Sequence, residues 1–390
     1  MKRFMALLCV LMMIPAAVSA EIMLRAGGSF AFALDSQGQL WGWGDNTKGQ
    51  LGNGSKKRAF FPDTQAGQGL DGQEILDIQC GNENTLYLMK DGSVYTSGPN
   101  NYGQQGNGKS NAYNYVPEKI EGLEHIVQIS SGYGHCLALD ENGHVFAWGR
   151  NNLGQCGVGK NRAVNKPEQL ELEHITSIVC GGKYCVAMDE NGRVFGWGSN
   201  DQGQLLDTGR NKKVLSPVEL ALDFRPVQLA CGGSTTYALD EEGSVWAWGR
   251  NNYLQLGTKS VRNASKVPVR VELPENTEVR EVYAYNTHSG VMTTDGQIIQ
   301  WGMTRCGQLG SGKHPTSSLP TLCELDQKAI AFDVGSSGSY VMLEDGSILA
   351  CGYGEVGQTG AFRRKTAYVY VWTSNGLNAV TGTWVDPKND

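Results

Sequence analysis

Short runs in which apolar and polar residues alternate recur along the chain from about residue 21 onward. One such run, Ile75–Cys80, ends at a small residue before glycine, and a second apolar segment such as Thr236–Asp240 follows. Next come a turn with aspartate and glycine, a segment of the form Val245–Gly249, a polar connector and a last short run near proline. The internal period is two, which predicts β-strands, and no helical period of useful length occurs. Each unit therefore predicts four short strands.

This unit repeats seven times. The string WGDNTKGQLG from Trp43 returns with small changes, for example as WGRNNLGQCG from Trp148 and WGRNNYLQLG from Trp248. The second residue of every copy is glycine, at intervals of about 51 residues: Gly44, Gly98, Gly149, Gly198, Gly249, Gly302 and Gly352. The pattern predicts an all-β, seven-bladed β-propeller with four short antiparallel strands per blade, formed by residues 21–390 as one domain. An open solenoid is the alternative architecture.

The two ends of the repeat region suggest how the ring closes. Glu21–Arg25 precede the first unit, and Tyr368–Trp372 belong to the last one. If Glu21–Arg25 joined the blade completed by the carboxy-terminal strands, the ring would close without an open edge.

The repeated strings resemble the repeats of the regulator of chromosome condensation family, whose pattern is G-x-V-[YF]-x-W-G-x-N-x-x-G-Q-L-G. Five copies match well, those from Ser97 and Cys351 are weaker, and the resemblance covers Glu21 to about Val380. It implies a seven-bladed propeller. Such repeats serve nucleotide exchange on the GTPase Ran, act inside bacterial effectors, and resemble those of secreted bacterial inhibitors of β-lactamases. We expect a secreted, bacterial-type member, although the fold alone does not determine function.

The first 20 residues are typical of a secretory signal peptide. Lys2 and Arg3 precede the apolar run Phe4–Ile14, which is too short to span a bilayer, and small residues precede Glu21. We expect cleavage between Ala20 and Glu21, and a protein that is secreted or located in the cell envelope. No later run of 18 apolar residues occurs, so we expect no membrane span.

The charge of the chain disfavours nucleic acid and anionic membranes as partners. The formal net charge is −6, and the expected signal peptide carries two of the basic residues and no acidic ones. Both kinds of partner require concentrated lysine and arginine. The short basic clusters Lys56–Arg58 and Arg363–Lys365 are separate and are expected to be solvated surface.

The cysteines fall at repeat positions that accept small or apolar residues. Cys80, Cys180 and Cys231 share one position, and Cys136 and Cys185 share another. Equivalent positions in neighbouring blades are too far apart for easy disulfide bonding, so we expect most cysteines to be reduced. No CxxC or HxxH string and no convergent cluster is evident, so we expect no metal site and no cofactor.

Three other motifs suggest chemistry that their context disfavours. Residues 103–110 match the phosphate-binding pattern GxxxxGK[ST], but they lie in a glycine-rich connector with no helical pattern after Ser110. The repeated aspartates Asp140, Asp189 and Asp240 are expected to bond their own turns. The repeated tryptophans are expected to pack between blades rather than to stack on sugars.

The connectors between strands are the expected binding surface. Antiparallel order places the first-to-second-strand and third-to-fourth-strand connectors of every blade on one side, here called the connector face. Tyrosine, arginine and asparagine mixed on a rigid face are what protein interfaces favour. The candidate partner-binding residues are Tyr102, Tyr133, His135, Arg150, Tyr184, Arg250, Tyr253, His288 and Arg305.

These expectations favour a non-catalytic, monomeric scaffold that binds a protein or a cell-envelope component through the connector face. The first alternative, which the family resemblance permits, is a guanine-nucleotide-exchange-factor-like regulator of a small GTPase, for example as a delivered effector. An enzyme that uses the central channel is the second alternative. No nucleophile elbow, zinc-protease motif or Ser/His/Asp set of plausible spacing supports it.

Overall fold

Seven antiparallel sheets, each built from consecutive strands, form the protein in a computed structural model that describes residues 22–70, 72–207, 212–312, 316–360 and 368–385. The sheets surround a channel lined by the first strand of every blade. This confirms the all-β, seven-bladed propeller with four antiparallel strands per blade. Within these ranges no helix has the length and apolar character needed to cross a bilayer. The expected signal peptide lies outside them.

The strands follow the repeat along the chain. Blade 1 contains β1 (Met23–Ala26), β2 (Phe30–Leu34), β3 (Leu40–Gly44) and β4 (Ala59–Asp63), and blade 2 contains β5 (Ile75–Cys80), β6 (Thr85–Met89), β7 (Val94–Pro99) and β8 (Tyr113–Lys119). Blade 3 contains β9 (Ile126–Ser131), β10 (His135–Asp140), β11 (Val145–Gly149) and β12 (Val164–Gln169), and blade 4 contains β13 (Ile175–Cys180), β14 (Tyr184–Asp189), β15 (Val194–Ser199) and β16 (Lys213–Leu220). Blade 5 contains β17 (Pro226–Cys231), β18 (Thr235–Asp240), β19 (Val245–Arg250) and β20 (Ala264–Arg270), and blade 6 contains β21 (Val279–Tyr285), β22 (His288–Thr293), β23 (Ile298–Met303) and β24 (Ser317–Leu322). Blade 7 contains β25 (Ala329–Val334), β26 (Gly338–Leu343), β27 (Ser347–Tyr353), β28 (Tyr368–Asn378) and β29 (Thr383–Trp384).

The fourth strand of each of the first six blades is the outermost one and contains a proline. These prolines are Pro62, Pro117, Pro167, Pro217, Pro268 and Pro320. Proline has no N–H group to donate, so it hinders the pairing of an edge strand with a strand from another molecule. In blade 7 the short strand β29 pairs with β28 instead.

The tryptophan of the Trp-Gly string links each strong copy to the preceding blade. Trp148 is fully buried, and its Nε1 donates to the carbonyl oxygen of Gln104 at 3.0 Å. The equivalent bonds join Trp197 to Gln155, Trp248 to Gln204, and Trp301 to Gln255. The expected packing of these side chains between blades is confirmed.

The ring closes through contacts between complete blades and not through a shared strand. β1 pairs with β2 in blade 1, whereas β28 and β29 remain in blade 7. Across this seam Trp43 Nε1 donates to the carbonyl oxygen of Gln358 at 3.0 Å, and the Ala26 N–H donates to Asp333 Oδ2 at 2.8 Å. The expectation that Glu21–Arg25 join the last blade is therefore wrong. The reason is that Met23–Ala26 already supply the channel-lining strand that the first unit needs.

The turn and connector motifs have the expected structural roles. Asp189 Oδ1 accepts the N–H groups of Asn191 and Arg193 at 3.0 and 2.8 Å, and Asp140 and Asp240 also accept hydrogen bonds from their own turns. Residues 103–110 lie in the connector between β7 and β8, and no helix follows Ser110. The match to the phosphate-binding pattern therefore lacks the helix that such a site requires.

Candidate functional site

The connector face forms as expected because the two kinds of connector bond to each other. In blade 3, the Arg150 N–H at the end of β11 donates to the Gly134 carbonyl oxygen, before β10, at 2.7 Å. Gly149 has a φ of +98°, and a Cβ added there would lie 2.5 Å from the same oxygen. Only glycine permits this approach, which explains the residue after each repeated tryptophan.

Buried asparagine and glutamine side chains hold the third-to-fourth-strand connectors in one conformation. Asn151 Oδ1 accepts the Cys156 N–H at 2.9 Å, and Gln155 Oε1 accepts the Leu153 N–H at 2.7 Å. The same two bonds recur in blades 1, 2, 4 and 5. The asparagine and glutamine of the repeat are thus structural, and the two residues that follow the asparagine are displayed to solvent.

Five of the nine candidate residues lie on these connectors or at the strand ends that lead into them. Tyr102 is 42% exposed, and the Arg150 guanidinium lies 4.8 Å from the centre of its ring, in a cation–π contact between blades 2 and 3. Arg250 and Tyr253 of blade 5 are half-buried, and Arg305 of blade 6 is exposed.

Three candidate residues are buried, so their expected exposure on the rim is wrong. His135, Tyr184 and His288 are each the first residue of the second strand of their blade, and each is at most 1% exposed. This position directs the side chain toward the next blade. Tyr184 donates its hydroxyl to the Thr235 carbonyl oxygen at 2.7 Å, and His288 Nε2 lies 3.1 Å from Ser339 Oγ. Burial lowers the pKa of His288 to about 4 and raises that of Tyr184.

Tyr133, the ninth candidate, lines the channel. Its ring centre lies 6.2 Å from that of Tyr285, and burial raises the pKa of both phenols. The channel holds a cavity of about 290 Å³. On its wall, Arg25 pairs with Asp77 at 2.8 Å, and burial raises the pKa of Asp333 to about 6 although Arg25 opposes the shift.

A cationic and aromatic cluster at blades 1 and 2 was only partly predicted. Tyr113 and Tyr115 stack with ring centres 6.2 Å apart, and the Lys48 and Lys56 ammonium groups lie 5.9 and 4.9 Å from the Tyr113 and Tyr115 rings, respectively. Both tyrosines belong to the outer strand β8 and not to the connector that precedes it. Their alternation with Asn114 was the signal for a strand.

The cysteines occupy the expected packing positions, but one group converges in a way that sequence spacing did not predict. All nine cysteines in the described residues have free thiols. Donor atoms of His135, Cys180 and Cys185 lie within 4.8 Å of one another. Burial raises the pKa of Cys180, but its hydrogen bond to Cys185 and the nearby His135 imidazole lower it to below the usual thiol range. Burial and the same hydrogen bond raise the pKa of Cys185.

The seven blades and their repeated connectors define a β-propeller of the RCC1-like class. The model of the RCC1-like domain matches residues 63–378, and that of the regulator of chromosome condensation (RCC1) repeat matches residues 37–88. The chain therefore belongs to the RCC1-like domain family.

Known proteins are similar to most of the chain, and the similarity covers different shares of their own lengths. The chain is 28% identical to the ultraviolet-B receptor UVR8 of Arabidopsis thaliana, over 87% of this chain and 78% of the receptor. It is 32% identical to the probable E3 ubiquitin-protein ligase HERC6 of Homo sapiens, over 86% of this chain but only 29% of that protein. The crystal structure of yeast RCC1 (Prp20) bound to Kap60 shares its fold, with a TM-score of 0.78 and 22% identity, over 97% of this chain and 92% of that one.

Proposed function

We propose that this protein is an exported, monomeric, non-catalytic scaffold that binds a protein or cell-envelope component through the connector face. The observation that carries the proposal is the display of tyrosine and arginine between buried, hydrogen-bonded anchors. Tyr102 and Tyr253 each follow an asparagine anchor by two residues, and their own N–H groups bond to Gln104 and Gln255. Connectors that are already ordered lose little entropy on binding, and tyrosine and arginine supply much of the energy at protein interfaces.

Two further arguments support parts of this proposal. The prolines of the six outer strands disfavour edge-to-edge pairing, which supports a monomer. Yeast RCC1 (Prp20), which shares this fold, has been crystallised with Kap60 bound, so a protein of this fold can bind another protein. Export rests on the pattern of residues 1–20 alone.

The test compares two fourfold variants, one on each side of the propeller. The face variant carries Tyr102→Ala, Arg150→Ala, Tyr253→Ala and Arg305→Ala. The control carries Lys90→Ala, Glu141→Ala, Glu190→Ala and Arg225→Ala, which lie on the opposite side and break only exposed ion pairs of small energetic value. Each protein is produced in a bacterium with its own first 20 residues and used to capture ligands from envelope extract.

We expect the parent and the control to retain the same bound species, chemically unchanged, and the face variant to bind it at least about tenfold more weakly. Equal binding by all three proteins would show that the connector face is not the site. Conversion of the bound species, or faster nucleotide release from a GTPase at sub-stoichiometric protein, would exclude a passive scaffold. A mature protein that begins at Glu21 would support export, whereas one that retains residues 1–20 would contradict it.

A further inference from the structure

A buried imidazole and two thiols meet at the seam between blades 3 and 4. His135 begins β10, Cys180 ends β13, and Cys185 is the second residue of β14. Cys180 and Cys185 are paired across β13 and β14, and their Sγ atoms are 3.7 Å apart. One donor atom of each of the three residues lies within 4.8 Å of the other two, and all three residues are buried. The pairing of β13 with β14 holds the two thiols side by side, close to the imidazole.

Other seams contain different residues at the same three positions, and those residues satisfy one another. Between blades 2 and 3, Asn84 Nδ2 donates to Ser131 Oγ at 3.0 Å and contacts Cys136 Sγ at 3.6 Å. Between blades 4 and 5, Thr236 Oγ1 donates to the Tyr184 hydroxyl at 3.0 Å. In these two seams a local hydrogen bond between side chains is therefore sufficient at this position. Two thiols and an imidazole exceed that structural requirement.

His135 is the member of the group that points to a ligand. The residue is fully buried, and neither ring nitrogen makes a hydrogen bond of normal length and angle, although the Sγ atoms of Cys180 and Cys185 lie within 4.8 Å of one of them. Leaving such a group buried and unpaired costs free energy, so an unpaired buried polar group calls for a partner that the protein atoms do not supply. A neutral imidazole nitrogen beside two thiol sulfurs has the donor atoms that a thiophilic metal ion binds.

We propose that His135, Cys180 and Cys185 bind one Zn²⁺ ion. A tetrahedral zinc centre with Zn–S bonds of about 2.3 Å places two sulfurs about 3.8 Å apart, close to the separation found here. Two thiolates and a neutral imidazole give an uncharged complex with Zn²⁺, which suits a buried position better than a net charge would. Binding forms two Zn–S bonds and one Zn–N bond, and the two thiol protons pass to solvent. No oxidation or reduction occurs.

The proposed site lies beside the channel. Gly132, Cys180 and Gly181 line the channel cavity. A Cβ added to Gly132 would lie 2.7 Å from His135 Nε2 and 2.4 Å from the Gly181 carbonyl oxygen. Glycine at this position lets the backbone pack closely against the imidazole, and we expect a water molecule that enters from the channel beside Cys180 to complete the coordination.

The experiment measures metal binding by the intact protein after removal of metal under reducing conditions. Zn²⁺ stoichiometry is determined by elemental analysis, and Co²⁺ is titrated to detect thiolate-to-cobalt charge transfer and tetrahedral ligand-field bands. The variants are His135→Asn, Cys180→Ser and Cys185→Thr, which introduce residues already present at the equivalent positions Asn84, Ser131 and Thr236. Cys231→Ser, which removes a buried thiol from the next seam, is the control.

We expect one Zn²⁺ per parent chain, tetrahedral thiolate bands with Co²⁺, and a thermal unfolding midpoint that Zn²⁺ raises. The three site variants should bind about 100-fold more weakly or worse, whereas Cys231→Ser should bind like the parent. Circular dichroism identifies any variant that has unfolded, and Cys180→Ser and Cys185→Thr each test the site independently. Undiminished binding by folded site variants, no binding by the parent, or a Cys180–Cys185 disulfide in place of the metal would overturn the proposal.

Discussion

At the scale of single residues, His288 shows how an inter-blade position governs a titratable group. Its ring is buried between blades 6 and 7 and contacts Ser339 Oγ. Burial disfavours the charged imidazolium, so the pKa falls to about 4 from the ordinary value near 6.5. Below pH 6.5 the unfolded chain binds a proton that the folded protein binds only near pH 4. Stability from this residue is therefore present above pH 6.5 and lost as the pH falls toward 4.

The variant His288→Gln isolates this effect because glutamine can bond Ser339 but does not titrate. Between pH 7.5 and pH 5, we expect the free energy of unfolding of the parent to fall by about 2 kcal/mol more than that of the variant. Urea unfolding followed by tryptophan fluorescence at several pH values measures the difference. Parallel pH profiles would show that His288 titrates normally in the folded protein.

The burial of His135, Tyr184 and His288 could not be derived from alternation alone. Their shared position holds phenylalanine, asparagine, threonine and glycine in the other blades, so neither a polar nor an apolar preference marks it as interior. It also directly follows the first connector, where a period of two gives no sign of whether a residue is the last of the loop or the first of the strand. Tyr102 and Arg150 were placed correctly because the glycine-rich connector around them has no strand pattern.

At the scale of the element, the third strand carries two aromatic side chains with different tasks. In β19, Trp248 is fully buried and bonds to Gln204 of blade 4 at 2.9 Å. Trp246, two residues earlier, is half-buried, stacks on Phe224 at 4.8 Å and donates to Asp240 in its own blade. The first side chain joins two blades through a buried hydrogen bond, and the second stabilises a turn of its own blade and packs on the link that precedes this blade.

Substitution of each tryptophan by phenylalanine distinguishes these tasks. Trp248→Phe removes an inter-blade hydrogen bond and leaves a cavity at a rigid seam, so we expect a loss of about 3 kcal/mol in the free energy of unfolding. Trp246→Phe loses one hydrogen bond at a partly hydrated site and should cost about 1 kcal/mol. Chemical denaturation followed by circular dichroism measures both, and equal losses would mean that the inter-blade contact has no special weight.

The strands themselves were predictable because every blade repeats the same alternation and the same turn chemistry. The register pairs Cys180 with Cys185 and Cys231 with Thr236, as their shared repeat positions require. The alternation within one unit does not predict contacts between units, because a side chain and its neighbour in the next blade are about 50 residues apart in sequence. For this reason the meeting of His135 with the two thiols of blade 4 was not predicted.

At the scale of the whole molecule, the seam between blades 1 and 7 differs from the other six because no short chain segment links its two blades. The seam between blades 3 and 4 is bridged by a short link from Gln169 to Ile175. Blades 1 and 7 meet through side-by-side contacts of segments about 300 residues apart in sequence, including the Ser336 N–H bond to the Gly27 carbonyl oxygen at 2.9 Å. Opening the seam between blades 1 and 7 releases more chain entropy than opening a seam whose blades are joined by a short link. The local stability of this seam therefore depends more strongly on each non-covalent contact across it.

The variants Trp43→Phe and Trp148→Phe make the same chemical change at these two kinds of seam. Both indoles are fully buried and donate to a glutamine carbonyl oxygen at 3.0 Å. We expect both variants to be less stable overall, but only Trp43→Phe to let blades 1 and 7 separate without global unfolding. Hydrogen exchange should then be at least about tenfold faster in β1 and β25 of that variant, whereas the strands at the linked seam of Trp148→Phe should keep the exchange rates set by global stability. Equal exchange rates at the two seams would contradict this prediction. They would show that the covalent link between neighbouring blades adds nothing to the local stability of a seam.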